Sequence, residues 1–128
     1  MTDPAMLQAL LEKSKNKLAT AHLLFDAKQY DDSVSRAYYS VFHALTAILY
    51  MRDQVYSKHG QVIGAFNKDF IKTGIFPAEF SRQIEGLFKD RQVGDYLVGP
   101  GIKAEVAKTH LEKAKAIVDA IFAYCSKT

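Results

Sequence analysis

Cysteine is nearly absent: Cys125 is the only one in 128 residues. That excludes an internal disulfide and any metal site built from a cysteine cluster. No apolar run reaches the ~20 residues that a membrane span needs. Met1-Thr2-Asp3-Pro4 has no basic region leading into an apolar stretch. No signal peptide is therefore expected, and a cytoplasmic protein is the default. Nowhere do apolar and polar residues alternate as a half-buried strand requires. Repeats and low-complexity segments are lacking too. The four histidines stand apart without metal-ligand spacing, so neither a metal nor a cofactor is expected. Gly99-Pro100-Gly101 is rigid and lacks the Lys-Ser/Thr ending of a phosphate-binding loop.

What remains is a helical, mixed-charge chain. Hydrophobic residues make up 48% and charged residues 24%, as in a soluble globular protein. The length is most simply one domain, 1–128, large enough to build its own core. The net charge of +3 mildly favours an anionic partner, but Lys and Arg are spread along the chain.

The centre of the pattern is Ser33 to Tyr50. Val34, Ala37, Tyr38, Val41, Phe42, Leu45, Ile48 and Leu49 recur at helical spacing and make one apolar face. Arg36, Tyr39, Ser40, His43, Ala47 and Tyr50 form a second stripe beside it. At about 100° per residue, Arg36 and His43 point the same way two turns apart. A helix of this kind can be packed all round, with the core on one side and a cleft or partner on the other.

The flanking segments read as further helices. Asp3 and Pro4 open the first, which runs to about Lys28. Lys13, Lys15 and Lys17 are expected on its solvated face, and His22 as a packed or hydrogen-bonded residue. Gln29 to Asp32 is a short connection in which either aspartate can cap the central helix. So short a link makes the first two helices antiparallel neighbours. A third, weaker helix starts near His59, with Gly60 and Gly64 available for close backbone approach, and stops at Thr73-Gly74. Pro77 opens a fourth, which Gly94 is expected to break, and Lys103 to Ala123 form the last. The expected fold is all-α, an antiparallel up-and-down bundle of four to five helices.

Several motifs then fall in order. Ser35-Arg36-Ala37-Tyr38-Tyr39-Ser40-Val41-Phe42-His43-Ala44 closely resembles the signature helix of small prokaryotic HEPN-domain proteins. His59-Gly60, then Ala65-Phe66 and Phe70 to Gly74, resemble their third-helix region. Arg91 with Gly94-Asp95-Tyr96 is similar to their Arg-plus-Asp-Tyr signal, and the final helix fits their C-terminal segment. The resemblance spans nearly the whole chain. It implies a helical bundle, often a homodimer, that binds nucleotide or RNA. It also implies a partner such as a minimal nucleotidyltransferase, in a toxin–antitoxin-like pair. Active members are metal-independent RNases with an Arg, four to six residues, then a His. No His follows Arg91 at that distance, whereas Arg36 and His43, with six residues between, meet it in the central helix.

The residue chemistry leaves enzyme and binding protein both open. Cleaving RNA without a metal needs a base for the 2′-hydroxyl proton and a cation for the phosphorane charge. His43 can serve as the base and Arg36 or Arg91 as the cation. Tyr38 or Tyr39 can stack on a base, with Asp95 and Tyr96 completing a ligand site beside Arg91. The bland alternative makes Arg36 and His43 a buried polar network with Asp95 and Tyr96, or a dimer seam. Three functions follow: a nucleotide- or RNA-binding HEPN module, a HEPN RNase, and a non-catalytic helical dimerisation protein.

Overall fold

The computed structural model describes residues 2–96 and 101–127, with the backbone alone for 93–96. Five α-helices and no strand occur among the described residues. Each helix follows from a local cause. Asp3 accepts the Ala5 N–H at 3.0 Å and Pro4 takes the first position, so α1 runs Pro4–Asp26. Lys28, with φ at 64°, turns the chain in the left-handed region, and α2, Tyr30–Tyr50, returns antiparallel. The far ends meet: Tyr50 Oη accepts the Asp3 N–H at 2.9 Å.

Next comes α3, His59–Phe66, which continues into a π-helical turn over Asn67–Ile71. The Lys72 N–H reaches back to the Asn67 carbonyl at 2.9 Å, which closes that wider turn. Gly74, with φ at 80°, ends the segment as expected. The two remaining helices are α4, Glu79–Tyr96, and α5, Ala104–Lys127.

The bundle is built around α2, which packs against α1, α3, α4 and α5. Val34, Ala37, Tyr38, Val41, Leu45, Ile48 and Leu49 are all buried, so the expected apolar face is the core. Ile84 and Leu87 of α4 and Ile117, Val118 and Ile121 of α5 close over it. At one end Phe66 stacks on Phe70 and Phe76, and Tyr124 meets Phe70 edge-on, making an aromatic plug. At the other, Tyr38, Phe42 and Phe88 gather beneath the face described below.

Four local expectations are corrected. Neither aspartate caps α2: Gln29 holds that position, and Asp31 instead accepts the Ile102 N–H at 2.7 Å, tying α2 to the entry of α5. Gly101 fits there because it has φ at 78° and because a Cβ would crowd the Asp31 carboxylate at 3.1 Å. Gly94 does not break α4, whose backbone stays helical to Tyr96. A Cβ on Gly60 or Gly64 would meet nothing within 4 Å, so among the described residues no helix approaches them closely. His22 is exposed rather than packed.

Candidate nucleic-acid interface

The apolar face of α2 sinks Tyr38 completely, at 0% exposure, while Tyr39 one residue on reaches the surface. α4 crosses beside them and delivers Arg91, itself only 8% exposed. Its guanidinium lies 5.2 Å from the ring centroids of both tyrosines. Arg91 Nη2 donates to Tyr39 Oη at 2.6 Å. An arginine so buried is held by its ring faces and its hydrogen bonds together.

The first residue of α3 completes the group. His59 Nδ1 lies 2.7 Å from Tyr38 Oη, and its ring stacks on Phe42 with centroids 4.1 Å apart. His43 stands one turn along α2, its ring 6.3 Å from Tyr39 and 5.9 Å from Phe42. His59 thus sits 6.0 Å from the same Tyr39 ring that His43 borders. Among the described residues neither nitrogen of His43 has a hydrogen-bond partner, and neither is shut off from solvent.

Among the described residues, the charges that shift the histidines of this face are positive. Partial burial pushes His43 down to about 4, and the Lys13 and Lys17 ammonium groups of α1 push it the same way, with His59 adding to them. His59 is also held below the ordinary histidine range, first by desolvation and then by Arg91. Both imidazoles are therefore neutral at pH 7, surrounded by cations from α1 and α4. Among the described residues no group of three His, Cys, Asp or Glu is placed to hold a metal. Burial raises the Cys125 thiol to about 11, which leaves it a poor nucleophile.

A profile described as HEPN domain matches residues 7–123. The chain belongs to the HEPN family. It is 32% identical over 109 residues to a UPF0332 protein of Thermotoga maritima, covering 85% of this chain and 83% of that one. Two proteins of Methanocaldococcus jannaschii carry the name of a candidate toxin. One is 36% identical over 84% of this chain and 73% of its own length. The other is 33% identical over 90% of this chain and 85% of its own.

Within this HEPN chain the expected site residues divide. Tyr39, His43 and Arg91 come together on one face. Tyr38 lies directly beneath, so it offers no surface on which a base can stack. Arg36 is exposed and makes no hydrogen bond, ion pair or ring contact among the described residues. The expectation of a buried Arg36–His43 network is overturned: Arg36 is exposed, whereas His43 is half-buried against the Tyr39 and Phe42 rings. The side chains of Asp95 and Tyr96 lie outside the described residues. The residue not singled out from sequence as part of the site is His59. Its only signal there was the His-Gly of the family resemblance, since its contacts with Tyr38 and Phe42 span the α2–α3 loop. No described helix is long and apolar enough to cross a membrane.

Proposed function

We propose that this HEPN protein binds RNA or a nucleotide through the face formed by Tyr39, His43, His59 and Arg91, flanked by Lys13 and Lys17. One observation carries the reading: among the described residues, the charges that shift the two surface imidazoles come from cations or from the other histidine. A phosphodiester is drawn to a face of this charge, and Arg91, with its guanidinium against the Tyr39 ring, is the cation it meets there. Tyr39 and Phe42, both partly exposed, offer ring surface to an unstacked base. The toxin names of two relatives support a toxin-like role, with which a restraining partner protein is compatible. A nucleotidyltransferase as that partner, and a homodimer as the assembly, are what the family resemblance implies.

The test is fluorescence anisotropy with a labelled single-stranded oligonucleotide at low and moderate salt. Arg91→Ala and His43→Ala are expected to weaken binding while circular dichroism stays that of the wild type. Equal affinity of folded variants and wild type would exclude this face.

A second reading, metal-independent RNA cleavage, is favoured by the state of His43. A neutral imidazole with both nitrogens open can take the 2′-hydroxyl proton as that oxygen attacks phosphorus and the 5′-oxygen leaves. Arg91, bonded to the Tyr39 that His43 borders, is the cation of this reading in place of the exposed Arg36. Cleavage of a defined RNA in the presence of EDTA, lost in His43→Ala, would establish this; identical cleavage by the variant would remove it.

A further inference from the structure

Tyr38 is fully buried, and a buried phenol must find an acceptor for its O–H. The only partner of Tyr38 Oη among the described residues is His59 Nδ1, at 2.7 Å. Burial raises the phenol above its usual range, so it keeps its proton at every pH the fold tolerates. The O–H therefore donates, and Nδ1 accepts with its lone pair. A neutral imidazole carries one proton, which must then sit on Nε2.

The ring cannot easily turn. Phe42 stacks on it at 4.1 Å and 24°, and the Tyr39 ring stands edge-on at 6.0 Å. His59 Nε2 has no hydrogen-bond partner among the described residues and is not shut off from solvent. The Arg91 guanidinium is near enough to act on this ring.

We propose that Tyr38 is a positioning residue that locks His59 as a neutral Nε2–H donor to a phosphodiester oxygen. This rests on the RNA-binding reading above. The two histidines of the face then have different work. His59, with Nδ1 engaged by Tyr38, donates to the anion without needing a positive charge. His43, which no protein group engages, keeps the only imidazole lone pair on this face that is free to accept a proton. Tyr38 acts through His59 and never touches the ligand.

The experiment has two arms on the intact chain. Long-range nitrogen–proton NMR of the free protein reads the tautomer of His59 directly. The Nε2–H form is expected in the wild type, and a mixture of both forms in Tyr38→Phe. Anisotropy with a fluorescein-labelled oligouridylate reads the consequence. His59→Gln, whose amide N–H falls near the Nε2 position, is expected to bind within about twofold of the wild type. His59→Ala is expected to lose about five- to tenfold, the worth of one hydrogen bond. An Nδ1–H tautomer in the wild type overturns the proposal, and so does a His59→Gln variant as weak as His59→Ala. Should Tyr38→Phe fail to fold, the wild-type spectrum and the His59 pair still decide. If the wild type shows the Nε2–H tautomer but does not bind the oligonucleotide, the RNA-binding reading is what fails.

Discussion

Arg91 and Tyr39 join α4 to α2 through a 2.6 Å bond from Nη2 to the phenol oxygen. The bond sits where a guanidinium is almost removed from water, so its loss is felt in stability as well as in binding. Tyr39→Phe keeps the ring and removes one acceptor from a buried cation. The expected cost is ~1–3 kcal/mol in chemical denaturation. Arg91→Lys keeps the charge but loses the planar fork that lies against the Tyr38, Tyr39 and Phe88 rings. It is expected to bind RNA almost as poorly as Arg91→Ala. A Lys variant with wild-type affinity would reduce Arg91 to a simple point charge.

His43 makes the protein sensitive to acid. Its ordinary value is 6.5 and the fold holds it at about 4. Between those values the unfolded chain takes up a proton that the native state refuses. Stability from this group is complete above about 6.5 and drains away as pH falls towards 4. His59, displaced in the same direction, adds to the loss. His43→Gln cannot titrate, so its denaturation midpoint is expected to fall less steeply over that window. Parallel curves for variant and wild type would show that His43 titrates normally.

Arg36 is the informative contrast. It is exposed and without a partner among the described residues. Arg36→Ala is therefore expected to change stability by no more than ~0.5 kcal/mol. Its effect on RNA affinity is expected to be smaller than that of Arg91→Ala. A loss as large as that of Arg91→Ala would place the ligand further towards the start of α2.

The core was readable in the sequence and the site was readable only in part. Val34 to Leu49 announce a buried face because apolar spacing is a local property of one helix. The Asp3-Pro4 start and the Gly74 stop are local as well. Arg36 and His43 share a direction on α2, and that too follows from helix geometry. What stands opposite each of them does not. α1 brings Lys13 and Lys17 to the level of His43, and α3 brings His59, whereas among the described residues nothing engages Arg36. Asp31 looks like a helix cap in sequence, yet its carboxylate serves a backbone N–H 71 residues away. The π-helical turn at Asn67 has no sequence mark, and the α4 backbone stays helical through Gly94 although glycine is a poor helix former.

The placement of Lys13 and Lys17 depends on a contact buried between α1 and α2. Ser14 Oγ donates to the Ser40 carbonyl at 2.6 Å, and Ser40 Oγ donates to the Ser14 carbonyl at 3.0 Å. Both serines are 0% exposed, so the two backbones approach closely and only a small side chain fits at either position. Lys13 and Lys17 flank Ser14 on α1, while Ser40 lies between Tyr39 and His43 on α2. The contact thus sets the register that brings the two ammonium groups to His43. Ser14→Ala and Ser40→Ala should each cost ~1 kcal/mol, and the pair less than the sum, because the two bonds support one another. Ser40→Leu should cost more, ~1–3 kcal/mol or above, because it forces the helices apart. In that variant Lys13 and Lys17 retreat, and the His43 pKa read by NMR should move up towards its ordinary value. A destabilised Ser40→Leu with the His43 titration unmoved would separate the fold of α1 from the electrostatics of the site.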